Sequence, residues 1–495
     1  MSANSALRKL EPVAAMIDAS IMRERAYIDG EWVEADAGQY ADVTNPSTGD
    51  VIGRIPECGA VETARAVEAA EAAFQGWSKL LPQERSKALR RWYDLIVAHK
   101  EELARLMTLE QGKPLHEARG EIDYGASFVE WFAEEAKRVE GETPLSHLPQ
   151  RLMTVRREPV GVVACVTPWN FPSAMITRKA AAALAAGCTV VVRPASETPF
   201  SALALAVLAE AVGLPKGCFN VVTGAPQPIV DELCTHPLVR AVSFTGSTEI
   251  GKRLVSQGAS TMKRMSMELG GHAPFIVFPD VDLDKAVAAA IDAKFQTTGQ
   301  DCLAANRIYI HQDIYEAFVS RFTEAVKRLK TGDGFQEGVD LGPLMHEKAV
   351  AKCLDHISDA TAKGARLIEG GTSDGLFVQP AVLADVTSEM AIFHEETFGP
   401  VAALMPFSDE DSLVASANDS VYGLSAYLFT HDHDRICRLT EALKVGMVAV
   451  NCVKMTGHPI PFGGVRESGL GREGGRHAID EFTNLKYVCA AYRAA

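Results

Sequence analysis

The sequence predicts an α/β fold of two or more domains, on three observations. Between Val155 and Phe278, short apolar β-branched runs alternate with helical segments, the pattern of a parallel sheet covered by helices. A second α/β stretch runs from Asp282 to about Val450. The chain has 495 residues, more than a single hydrophobic core fills.

In the first stretch the expected strands are 161–166, 189–192, 219–222, 239–244 and 274–278. The helices expected between them lie at about 173–186, 200–212, 226–234 and 247–257. In the second stretch, helices are expected near 284–297, 313–330 and 346–363. Upstream, residues 26–56 read as short strands and turns. From Val61 to about Val139 the pattern is helical, with Ala64, Val67, Ala70, Ala73 and Phe74 at three- and four-residue spacing. Gln111-Gly-Lys-Pro114 interrupts it. The Gly-rich tail from Gly457 ends in a strand-like segment, Leu485-Lys-Tyr-Val-Cys489.

Composition bounds the function classes. At 47% hydrophobic and 23% charged residues, global disorder is excluded. A net charge of -15 repels phosphates, so nucleic acid is not an expected partner. The ten cysteines are scattered and form no C-x-x-C pair, which argues against a zinc ribbon, an iron–sulfur site or a disulfide scaffold. Residues 1–25 contain no secretory signal, and no uncharged run reaches ~18 apolar residues. A cytoplasmic protein without a membrane segment is expected.

Four motifs carry chemistry. Phe244-Thr-Gly-Ser-Thr-Glu-Ile-Gly251 reads as a strand end, a turn at Gly246 and a helix capped by Ser247. Free N–H groups at such a helix start suit a pyrophosphate, although the spacing lacks the middle Gly of the usual dinucleotide fingerprint. In Phe295-Gln-Thr-Thr-Gly-Gln-Asp-Cys302, an extended turn after the helix would let the Cys302 thiol protrude as a nucleophile. Glu268, in Met267-Glu-Leu-Gly-Gly271, would project from a strand end into a cleft, where burial raises its pKa and suits it to be a base. Asn170, in Thr167-Pro-Trp-Asn-Phe-Pro172, offers an amide to an oxyanion. Taken singly, each also fits a packed cysteine, a surface carboxylate or a rigid loop. His431-Asp-His-Asp434 reads as a solvated helix-start loop rather than a metal site.

Occurring together and in this order, the motifs make the chain resemble the aldehyde dehydrogenase superfamily. Glu395-Glu-Thr-Phe-Gly-Pro400 and Pro461-Phe-Gly-Gly-Val465 extend the resemblance, which covers the chain from about residue 25 to its end. It implies an enzyme in which Cys302 attacks an aldehyde. Asn170 and the Cys302 backbone N–H hold the oxyanion, and Glu268 activates the water that hydrolyses the thioester. It further implies that Glu396 binds the nicotinamide ribose, that Phe398 packs near the ring, and that Trp169, Gly246, Ser247 and Leu269 line the cofactor path. Retention of Glu268 implies release of the free acid.

Within the family, Ala174-Met-Ile-Thr-Arg-Lys179 and Arg472-Glu-Gly-Gly-Arg-His-Ala-Ile-Asp-Glu481 look like the succinate- and glutarate-semialdehyde dehydrogenase branch. There Arg178 would grip the distal carboxylate of the substrate. The second Arg of the branch is Gln296 here, and its Ser near the C-terminal loop is Thr456. Succinate semialdehyde is the expected substrate, with glutarate semialdehyde or another aldehyde as the alternative, and a thiol esterase as the rival of another class. At Val192-Arg-Pro-Ala-Ser-Glu-Thr198, Ser196 is small and neutral and Arg193 can pair with a phosphate, so NADP is expected to be preferred and NAD accepted. Ala304 stands where some relatives carry a second Cys, so no local disulfide switch is expected.

The resemblance implies a Rossmann-like cofactor domain (20–134 and 154–266), a catalytic α/β domain (267–470) and a small oligomerisation element (135–153 and 471–495). The strand near 485–489 would pair with another subunit, giving a homodimer or homotetramer.

Overall fold

The computed structural model describes residues 21–493. Expectations that fall on residues 1–20 and 494–495 lie outside the described residues. Two mixed sheets carry the molecule. The first runs in the order Glu31–Val33, Ala26–Ile28, Phe219–Val221, Thr189–Arg193, Val162–Val166, Val239–Thr245, Arg264–Glu268, Gly469–Leu470. Its five central strands are parallel, and Val162–Val166 and Thr189–Arg193 are buried along their whole length. Continuous burial explains why these strands read as unbroken β-branched runs. From Val162–Val166 the chain steps outward through 189–193 and 219–221, then returns to the other flank at 239–245. The sheet therefore has its switch point between Val162–Val166 and Val239–Thr245, and the crevice beyond the strand ends there is where such sheets take ligands.

The second sheet runs Arg366–Glu369, Ala381–Ala384, Val401–Phe407, Ala305–His311, Ala273–Val277, Ser425–Phe429, Met447–Val450. Apart from the antiparallel edge strand 366–369, it is parallel. The carboxyl end of Arg264–Glu268 leads through Leu269-Gly-Gly-His272 directly into Ala273–Val277. The two sheets thus meet across a cleft.

Helix Leu115–Glu135 crosses the fully buried, Ala-rich helix Ala174–Ala186. The crossing is close because Gly125 lacks a side chain: a Cβ there would stand 3.2 Å from the Ala174 Cα. Helix 174–186 stops at Gly187, whose φ of +102° is open to glycine and strained for other residues. Arg151–Pro159 and Thr483–Ala491 form a separate antiparallel ribbon.

The structure departs from the sequence reading in four places. The helical stretch from 61 to 139 is four helices, Ala60–Trp77, Pro82–Ala98, Lys100–Gln111 and Leu115–Glu135, because Pro82, Gly112 and Pro114 break a periodicity that otherwise runs on. The run at 274–278 belongs to the second sheet, as strand Ala273–Val277, since burial alone does not tell which sheet a strand joins. The expected domain break between 153 and 154 falls inside Arg151–Pro159, and that between 266 and 267 inside Arg264–Glu268. Finally, the turn before Cys302 is left-handed rather than extended. Among the described residues no helix is long and apolar enough to cross a membrane.

Candidate active site

Cys302 lies between the sheets, half-buried, on the connection from helix Leu283–Phe295 to strand Ala305–His311. Thr297, Thr298 and Gly299 precede it with φ of 50°, 57° and 71°. Gly271 passes so close that a Cβ would stand 2.0 Å from the Cys302 carbonyl oxygen. Burial, followed by the negative charges of Asp301 and Glu396, pushes the thiol well above its ordinary pKa, with Arg178 opposing.

Glu268 ends its strand 2% exposed, with no hydrogen-bond partner on either carboxylate oxygen. Burial raises its pKa well above the carboxylate range, and the charge of Glu473 raises it further, against Arg178, Lys179 and Arg472. An unpaired buried carboxyl of this kind is suited to take up a proton near neutral pH.

Asn170 leaves the carboxyl end of Val162–Val166 at the switch point, and its amide donates to the Gln300 carbonyl at 2.9 Å. The amide is thereby held two residues from Cys302 in sequence, with a second N–H free of that bond. Lys113, buried on the ammonium of its side chain, donates to the Asn170 carbonyl at 2.7 Å and to Glu121 at 2.6 Å. The other Glu121 oxygen accepts the N–H groups of Ser173 and Ala174 at the start of helix 174–186. The Asn170 loop is thus pinned by a buried ion pair and a helix terminus.

Arg178 is neither a surface residue nor a free clamp. It is 1% exposed, ion-paired with Glu473, and stacked on Phe462 at 4.2 Å. Lys179 pairs with the same carboxylate and donates to Thr245 at 2.6 Å. Burial alone would neutralise Glu473, but the two cations outweigh it and hold its pKa below the usual carboxylate value. Gln296 is exposed and Thr456 half-buried. Met455, the neighbour of Thr456, packs with Leu303 and Cys302 beside Phe462.

Of the cofactor residues expected from sequence, Trp169, Arg193, Ser196, Gly246, Ser247 and Leu269 stand at or just after the carboxyl ends of first-sheet strands, and Glu396 and Phe398 precede strand Val401–Phe407. Ser247 caps helix Thr248–Gly258 by accepting the Ile250 N–H at 3.4 Å, and Gly246 leads into it. The rings of Trp169 and Phe398 meet edge to face at 5.7 Å. Leu269 is 7% exposed. Glu396 accepts the Gly271 N–H at 3.0 Å, and burial pushes its pKa up to about 7. Arg193 donates to Ser196 at 2.8 Å and to the Gly224 carbonyl at 3.2 Å, while its Nε–H has no partner. Strand Thr189–Arg193 lies two places along the sheet from Val239–Thr245, which leads into that helix; a buried cation with a spare donor there fits an anionic dinucleotide. Glu197, next to Ser196, is turned toward His346, 3.3 Å away.

Lys113, Glu117, Glu121, Lys179 and Glu473 escaped the sequence reading. Lys113 sat in a segment read only as an interruption, and Lys179 and Glu473 within motifs used only to place the branch. Glu117 and Glu121 were inconspicuous on a helix rich in acids. At 431–434, Asp432 caps helix His433–Ala442 by accepting the Arg435 N–H.

A fold and cleft of this kind define a nicotinamide-linked oxidoreductase built around a cysteine. A sequence profile described as the aldehyde dehydrogenase family matches residues 32–488, and the chain belongs to that family. It is 52% identical over 473 residues to the glutarate-semialdehyde dehydrogenase of Pseudomonas putida, a match covering 95% of this chain and 98% of that one. The NADP(+) succinate-semialdehyde dehydrogenase of Escherichia coli is 51% identical over 475 residues, with 95% and 98% covered. The crystal structure of succinate-semialdehyde dehydrogenase from Burkholderia pseudomallei superposes with a TM-score of 0.95 at 50% identity, covering 97% of this chain and 100% of that chain.

Proposed function

We propose that this enzyme oxidises a small semialdehyde with a distal carboxylate, foremost succinate semialdehyde, to the dicarboxylate. NADP is preferred and NAD accepted. The carrying observation is the half-buried Cys302 with a buried, unpaired Glu268 whose charge acts on it and the Asn170 amide tied to the carbonyl of Gln300, two residues before it.

In this reading the Cys302 sulfur bonds to the aldehyde carbon after giving up its proton, for which Glu268 is the nearby base. The carbonyl oxygen becomes an oxyanion held by the Asn170 amide. An oxidised nicotinamide held by Glu396 beside Phe398 would supply the hydride acceptor, so that a thioester to Cys302 is left. Glu268, after passing the first proton to solvent, removes a proton from water; the water oxygen bonds to the thioester carbon, the C–S bond breaks to return the Cys302 thiolate, and the acid departs. Arg193 and Ser196 would hold the 2′-phosphate and Glu396 the nicotinamide ribose. Trp169, Gly246, Ser247, Leu269 and Phe398 would line the path.

Support for the substrate comes from the names of the relatives and from Arg178, whose charge acts on both Cys302 and Glu268. Because Glu473 already shares that charge, a substrate carboxylate would meet Arg178 only in part, with Gln296 and Thr456 as polar neighbours. Glutarate semialdehyde is the alternative, with one more methylene. Ten free cysteines fit a reducing cytoplasm. The ribbon 151–159/483–491 suits a homodimer or homotetramer.

The test is an aldehyde panel run in parallel with NAD and NADP on wild type, Arg178→Ala and Arg193→Ala. Loss of Arg178 should raise KM for carboxylate-bearing aldehydes far more than for neutral ones of equal length. Loss of Arg193 should weaken NADP binding more than NAD binding by calorimetry. Equal effects would remove both assignments, and ester cleavage without cofactor reduction would favour the esterase.

A further inference from the structure

The turn that carries Cys302 is strained, and a carboxylate outside it holds it. Thr297 and Thr298 adopt φ/ψ of 50°/38° and 57°/31°, followed by Gly299 at φ 71°. Two successive β-branched residues in the left-handed region are costly and persist only where the surroundings over-determine them. Several ties do so. The Gln300 N–H donates back to the Thr297 carbonyl at 3.0 Å, and the Thr298 hydroxyl to the Gly342 carbonyl at 3.1 Å. The Gln300 side-chain carbonyl accepts the Met345 N–H at 3.0 Å. A further tie comes from helix Leu115–Glu135, where one Glu117 oxygen accepts the Thr297 N–H at 3.0 Å.

That N–H stands at the first left-handed residue and is buried with Thr297, which is 2% exposed. Glu117 is its side-chain acceptor, and a buried N–H that loses its acceptor is costly. The second Glu117 oxygen has no hydrogen-bond partner, so the carboxylate spends its one bond on this turn. The same turn sets the Gln300 carbonyl that receives the Asn170 amide. Its conformation therefore governs both the sulfur and the neighbouring amide.

We infer that Glu117 is a positioning residue, whose bond to the Thr297 N–H keeps the turn left-handed and so holds Cys302 in its attacking position. It touches neither substrate nor cofactor in this role. The inference rests on the reading of Cys302 as nucleophile, but its test does not depend on turnover. Glycine adopts the left-handed region without strain, so Thr297→Gly should remove the need for the clamp.

The experiment measures alkylation of Cys302 by iodoacetamide in the cofactor-free enzyme, resolved from the exposed cysteines by peptide mass mapping, alongside kcat and KM. Glu117→Ala should slow both alkylation and kcat by about tenfold, with KM moving less than about threefold. Glu117→Gln keeps an acceptor oxygen and should recover most of the rate. Adding Thr297→Gly to Glu117→Ala should restore alkylation by at least about threefold. Wild-type alkylation in Glu117→Ala, or no rescue by glycine, overturns the inference. If Glu117→Ala does not fold, Glu117→Gln decides: a tenfold loss there would show that charge rather than the bond matters. Turnover persisting in Cys302→Ala would instead reject the nucleophile reading and leave the clamp standing.

Discussion

Glu473→Gln is the substitution that most sharply separates a proton-accepting Glu268 from a merely buried one. Glu473 is 4% exposed and neutralises Arg178 and Lys179, each 1% exposed. Removing the carboxylate charge leaves two buried cations facing an amide, at a cost of about 3–5 kcal/mol. Stabilities of folded proteins of about 5–15 kcal/mol absorb this, with a lower unfolding midpoint. The effect on Glu268 has a definite sign. Its pKa is raised first by burial and next by Glu473, and lowered by Arg178 and Lys179. The substitution deletes a raising charge and frees two lowering ones, so the pKa falls. A shift of about one unit corresponds to ~1.4 kcal/mol. A base works when deprotonated, so activity is lost as pH falls through its pKa. The acid limb of kcat in Glu473→Gln should therefore move to lower pH by about one unit, followed by cofactor reduction across a pH series. In Glu268→Gln that limb should vanish. An acid limb that stays in place, or moves upward, in Glu473→Gln would refute the coupling.

Two further outcomes follow from named contacts. Asn170→Ala removes the amide donor and its bond to Gln300; kcat should fall by about 10²–10³, as for other oxyanion donors, with KM much less affected in steady-state assays. The ribbon 151–159/483–491 exposes Leu152, Leu485 and Tyr487, and a two-stranded ribbon is marginal alone. Leu485→Lys with Tyr487→Lys should lower the mass seen by analytical ultracentrifugation, and an unchanged mass would remove the ribbon from the subunit interface.

Much of the first sheet was legible because its central strands are buried on both faces and leave unbroken apolar runs. Val162–Val166 and Thr189–Arg193 differ from their expected bounds by a single residue. Helices such as Ala174–Ala186 were equally plain, from their length and the Gly that ends them. The residues proposed as nucleophile, base and oxyanion donor were legible only as a set of motifs. What stayed hidden depends on three-dimensional pairing. Arg178 and Glu473 are 295 residues apart in sequence, and nothing local at either position indicates that one neutralises the other. The left-handed Thr297-Thr298 pair is likewise invisible, since threonine favours extended backbone and bonds from distant segments, such as those to Glu117 and Gly342, explain the exception. The same holds for Lys113, whose segment signals a helix break while its ammonium orients the Asn170 loop.

The central claim is that Cys302 carries the acyl group between oxidation and hydrolysis. Its most direct test is to mix Glu268→Gln with succinate semialdehyde and NADP, quench in acid, and map peptides by mass. The account predicts an acyl thioester on the Cys302 peptide, formed with about one reduced cofactor per site. Cofactor reduction with no acyl group on Cys302, or acylation of another residue, would contradict it.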